Sequence, residues 1–151
     1  MTVDVLLSQV LHVEDGAILN LTKDMDAETA KLTLRLDHAV RLRNPGLHYV
    51  SRSKFVGYRR EGSSLTTAGE RSQIFLSVVR NKSRLEVFLP VDPDDFTNLP
   101  NAADLRGRGH HGVGDLRVSL ATGTAVDQFV AHMGEWLKPE IRNQKRPTGT
   151  T

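Results

Sequence analysis

Apolar residues recur along this chain at two different periods, and the switch between them divides it into helical and extended parts. From Met25 to Val40 the repeat is three or four residues (Met25, Thr29, Leu32, Leu36, Val40), which is one face of an α-helix. Asp24 or Asp26 can cap its start, and Glu28 places negative charge in its first turn. Arg41 and Arg43 fall at the negative end of the helix dipole. Asn44-Pro45-Gly46 stops it. Inside it, Leu32-Thr33-Leu34-Arg35-Leu36 alternates and would also fit a strand. Upstream, Val3, Leu6, Leu7, Val10 and Leu11 keep helical spacing. Leu11–Val13 and Ala17–Leu21 would equally form a hairpin around Asp15-Gly16, a strong turn dipeptide. The segment is read as a short N-terminal helix followed by a turn.

Beyond Gly46 the pattern shortens to that of strands. One is expected over residues 47–59, closed by Arg60-Glu61-Gly62 and followed by a polar loop, 63–71. A second covers 73–80, with Ile74, Phe75, Leu76, Val78 and Val79. A third covers 84–89, where Leu85, Val87 and Leu89 alternate with Arg84, Glu86 and Phe88. Asn81-Lys82-Ser83 joins the last two as an antiparallel hairpin. Residues 90–108 are irregular, with Pro93, Pro100 and several aspartates, and a loop of that length is functional or mobile. A glycine-rich run, Gly107–Gly114, leads into a short strand over 115–120. The final helix has the strongest signal. Thr124 and Asp127 have the spacing of a capping box, and Val126, Phe129, Val130, Met133, Trp136 and Leu137 form one apolar stripe ending before Pro139. The fold class is therefore α+β, a small antiparallel sheet of about four strands packed by two or three helices. Residues 1–142 make one domain, and the polar residues 143–151 are expected to be a disordered tail.

Composition narrows the setting. A chain of 151 residues is one domain's worth. It has no cysteine, so disulfides and thiolate chemistry are out of reach, which fits a reducing compartment. Nothing at the start reads as a signal peptide, and no window is apolar enough to span a bilayer. A cytoplasmic location is expected. Net charge is only +2, but it is unevenly spread. Residues 1–40 hold seven acids and three bases, whereas residues 41–84 hold ten bases and two acids. The middle third is a basic block.

Four features together resemble a known domain family. They are Phe55-Val56-Gly57-Tyr58-Arg59, a hairpin ending Arg84–Leu89, the run Gly109-His110-His111-Gly112-Val113-Gly114-Asp115 with Leu116–Leu120, and the terminal amphipathic helix. Over residues 47–138 the chain resembles an uncharacterised bacterial and archaeal family sometimes labelled "predicted transport protein". That family is often appended to restriction-type nucleases and other DNA-processing proteins. The resemblance implies a small antiparallel sheet with helices and a nuclease or similar partner. It implies no catalytic residues.

Several kinds of chemistry can be set against the residues. Gly107-Arg108-Gly109-His110-His111-Gly112 satisfies GxGxxG, but a dinucleotide fingerprint needs a strand before it and a helix after it, and here a loop precedes and a strand follows. The glycines are read first as suppliers of positive-φ turns. A weaker reading is an anion nest of backbone N–H groups (Gly109, His110, His111, Gly112, Gly114) reinforced by Arg106 and Arg108. His110 and His111 lack the companions of a metal site, so no metal and no cofactor is expected. Asp92, Asp94 and Asp95 do not combine with a Glu-x-Lys, since Glu86 is followed by Val87 and Phe88; a nuclease centre is not expected.

The basic block carries the leading expectation. Strict alternation along 47–60 would put Arg52, Lys54, Tyr58 and Arg60 on one face, with Arg80, Lys82 and Arg84 around the next turn. Together with Arg59 these would neutralise phosphates of DNA or RNA, and Tyr58 would stack on a base. The expected function is a non-catalytic nucleic-acid-associated accessory module. The alternative is an interaction or small-anion/nucleotide-binding domain built on the glycine-rich loop. An enzyme of unknown class comes third.

Overall fold

The computed structural model describes residues 16–60, 74–109 and 112–139. The expected N-terminal helix up to residue 15, the polar loop 63–71 and the tail 143–151 lie outside them.

Helix α1 (Gly16–Thr22) is followed by α2 (Ala27–Arg43). Ala17–Leu21 is therefore helical and not a strand of a hairpin, and Ile18 and Leu21 are buried at helical spacing. Asp26 caps α2, accepting from the Thr29 amide. Hydrogen bonding from Thr29, with the nearby Lys82 adding to it, holds the Asp26 carboxyl below its usual range. Thr29, Thr33, Leu36, Asp37 and Val40 form the buried face, so the helical period overrides the alternation at 32–36.

The sheet has six strands: β1 (His48–Ser51), β2 (Phe55–Arg59), β3 (Ile74–Val79), β4 (Leu85–Leu89), β5 (Ala102–Asp104) and β6 (Leu116–Leu120). Their order is β1-β2-β3-β4-β6-β5, antiparallel throughout. Two are additional to the expected set. The single strand read over 47–59 is a hairpin that reverses at Arg52–Lys54, where the Arg52 amide bonds to the Phe55 carbonyl at 2.9 Å. The irregular stretch 90–108 contains a 3-10 turn (Pro93–Phe96) and β5. Helix α3 (Gly123–His132) and a single turn, α4 (Gly134–Leu137), close the chain. The cap of α3 is Thr122, which accepts from the Ala125 amide at 3.0 Å, not Thr124. Asp127, assigned to a capping box, instead receives two hydrogen bonds from Arg35 on α2, at 2.9 and 2.6 Å.

The helices cover one sheet face. There Leu36, Val40, Val126, Phe129, Met133 and Leu137 pack on Val56, Leu76, Val78, Val87, Leu116 and Val118. The second face has smaller clusters: Val50, Phe55, Ile74 and Val113, then Val79, Phe88 and Leu105. The segment Gly112–Gly114 lies directly against it, with the Val113 amide bonded to Ser77 Oγ at 3.0 Å. This explains Gly112 and Gly114 of the glycine run. A Cβ at Gly112 would fall 2.2 Å from the Phe88 ring, and one at Gly114 would fall 2.2 Å from the Leu89 carbonyl oxygen. Of the four glycines in the run, Gly107 and Gly114 carry the expected positive φ, 78° and 102°, and Gly109 and Gly112 do not. No helix among the described residues is long and apolar enough to cross a membrane.

Candidate nucleic-acid interface

Antiparallel pairing decides where the basic block goes. Ser51 pairs with Val56, Phe55 with Val79, and Leu85 with Leu120. The β1–β2 turn, the β3–β4 turn and the end of β6 therefore share one end of the sheet. Arg52 and Lys54 lie in the first turn, and Arg80, Lys82 and Arg84 in the second. The turns are joined: the Arg80 amide donates to the Lys54 carbonyl at 3.0 Å, and Arg80 Nε donates to the Arg52 carbonyl at 2.8 Å. Arg80 also donates to Ser51 Oγ at 3.0 Å. Arg52, Lys54, Lys82 and Arg84 are exposed, and Arg80 is half-buried. Asn81 Oδ1 accepts the amides of Ser83 and Arg84, each at 3.1 Å, which fixes the second turn. This rim borders Asp26 and Glu28 of α2, across a cavity of about 210 Å³ that Arg84 also lines.

Three residues assigned to the surface are elsewhere. Tyr58 is fully buried on the helix side, so it has no face to offer a base. Its hydroxyl donates to Asp37 Oδ1 at 2.8 Å. Burial, then the Asp37 charge, push its pKa well above the usual phenol value. Arg59 is buried, 7% exposed, on the second face. A register shift opposite Tyr58 and Arg59 leaves Phe75 of β3 unpaired, but β2 itself keeps the expected alternation, and the face that Val56 and Tyr58 share is the one the helices cover. Arg60 lies between the Phe75 and Trp136 rings, 4.6 and 4.4 Å from their centroids. It donates to the carbonyls of Trp136 and Lys138. These three are structural arginine and tyrosine sites rather than phosphate contacts.

The glycine-loop anion site also loses a member. Arg106 is matched by three carboxylates, contacting Asp104 at 2.5 Å, Asp94 at 2.9 Å and Asp92 at 3.5 Å. Hydrogen bonds from Arg106 hold Asp104 below its usual range. Asp92, Asp94 and Asp104 thus tie the 90–104 segment to the loop after β5, and Asp92 does so while capping the 3-10 turn. Arg108 and Gly109 are exposed, whereas Gly112 is packed beneath the loop. His110 and His111 lie outside the described residues.

Sequence reading missed the centre of the helix–sheet contact. Asp37 is 5% exposed and accepts from both tyrosines of the chain, Tyr49 and Tyr58, at 2.8 Å each. Arg41 stands one helical turn on, 3.9 Å from its other oxygen. A signal was present: Asp37 falls between Thr33 and Val40 on the buried stripe, and a carboxylate at such a position needs donors.

No protein family, no curated protein and no solved structure matches this chain.

Proposed function

We propose that the protein is a non-catalytic nucleic-acid-associated module that holds phosphates along the turn end of its sheet. The observation that carries this reading is the bonding of the β1–β2 turn to the β3–β4 turn through Arg80, which gathers Arg52, Lys54, Arg80, Lys82 and Arg84 on one rim. Cations on turns meet a phosphate backbone without reading bases, so affinity comes without sequence selection. With Tyr58 enclosed, stacking has no part in it. An accessory domain of a nuclease or another DNA-processing protein, as the resemblance implies, would use such a surface.

Fluorescence anisotropy with labelled duplex DNA and labelled RNA across a salt series tests the reading. Five cations each neutralising one phosphate give a slope of log K against log salt of about −4.5 on duplex DNA. Joint replacement of Lys54, Lys82 and Arg84 by alanine makes that slope shallower by about 2.7. Arg60→Ala leaves it unchanged. Absent binding at low ionic strength, or binding indifferent to salt, removes the proposal.

A further inference from the structure

On the sheet face away from the helices, the loop after β5 stands off the strands and leaves a cavity of about 300 Å³. Its floor is apolar: Val79, Phe88 and Leu105, each buried. Its polar lining is Glu86, Arg108 and Arg117. The side chain of Glu86 is only 13% exposed, and its Oε2 lies 3.9 Å from Arg117 NH1, beyond hydrogen-bond length. Arg117 Nε is buried without a hydrogen-bond partner. Arg108 makes no side-chain hydrogen bond among the described residues. One carboxylate and two guanidiniums thus line one apolar floor, and for the buried Arg117 Nε an unmade hydrogen bond is costly.

The ligand that completes this lining must satisfy all three chemistries. A simple oxyanion would suit the guanidiniums but would face Glu86 with like charge. A simple amine would suit Glu86 but leave both arginines unmatched. The interior of a peptide carries neither charge. A molecule with a carboxylate and an ammonium on adjacent atoms, and a compact apolar group, fits every part. The volume is at the low end of the ~300–1,000 Å³ of ligand sites, which favours something small. We infer that this cavity binds a free α-amino acid with an apolar side chain. Its carboxylate lies on Arg108 and Arg117, its ammonium on Glu86, and its side chain on Val79, Phe88 and Leu105. None of the five rim cations lines this cavity, so the inference stands or falls apart from the phosphate reading.

Thermal-shift titration of the whole chain decides it. The probes are L-leucine and L-phenylalanine, with N-acetyl-L-leucine, L-leucinamide and L-aspartate for comparison. The expected result is a saturable rise in Tm with leucine or phenylalanine and none with the three comparison compounds. Glu86→Gln and Arg117→Gln abolish the rise. Because those two side chains are partly buried, Arg108→Ala serves as the variant whose exposed side chain leaves folding intact. It weakens apparent affinity by about tenfold or more, the worth of one charged hydrogen bond. The inference is overturned if neither apolar amino acid shifts Tm, if N-acetyl-leucine or leucinamide does so equally, or if Arg108→Ala binds as well as the unaltered chain.

Discussion

Replacing Asp37 by alanine removes the one acceptor that two tyrosine hydroxyls share, at the centre of the contact between α2 and the β1–β2 hairpin. A hydrogen bond to a charged group contributes about 1.5–3 kcal/mol, and a buried donor left without an acceptor forfeits it without help from water. Tyr58 is fully buried and incurs that cost. Tyr49 is only half-buried and can turn to water, so its loss is smaller. Removing the carboxylate also relieves its own burial, which offsets part of the sum. The expected destabilisation is about 3 kcal/mol for Asp37→Ala. Asp37→Asn keeps a neutral acceptor for both hydroxyls and costs about 1 kcal/mol. Urea unfolding followed by circular dichroism measures both, with Tyr58→Phe and Asp37→Ala/Tyr58→Phe completing a cycle. Residues bonded to one another couple, here by about 1–2 kcal/mol. If Asp37→Ala costs less than about 1 kcal/mol, or the two substitutions add within ~0.5 kcal/mol, the carboxylate does not organise this contact and the reasoning fails.

The same tyrosine predicts an alkaline limit. Its folded pKa is raised above the ordinary 10.0, so the associated stability is fully present below pH 10 and is lost as pH climbs from there towards the folded value. Urea midpoints between pH 8 and 11 should fall more steeply for the unaltered chain than for Tyr58→Phe. Gly114→Ala places a Cβ 2.2 Å from a backbone oxygen at φ 102°. It should lower stability by more than the ~1 kcal/mol on which point substitutions centre, since backbone on both sides must move. Gly107→Ala, at positive φ but in open space, should cost less, and chemical denaturation of the pair checks the order. Thr122→Ala removes the cap of α3 and should cost about 1 kcal/mol, whereas Thr124→Ala should change stability little. Comparison of their thermal midpoints distinguishes the observed cap from the one sequence spacing suggests.

Local chemistry alone was enough for the elements whose signals are periodic or steric. The stripe of α2, a capping aspartate before it, and the cores of β3, β4 and β6 follow from residue order, because each depends on neighbours within a few positions. Tertiary structure decided the rest. Parity along 47–60 cannot foresee the reversal at Arg52–Lys54, nor that the helices cover the face shared by Val56 and Tyr58, which encloses Tyr58 and holds Arg60 against Trp136. Arg106 and the aspartates at 92, 94 and 104 meet only because the chain folds back between β4 and β5. The cations of two separate turns share a rim because antiparallel pairing brings those turns to the same end of the sheet. Such outcomes depend on contacts between residues distant in the chain, and the sequence specifies them only through the whole fold.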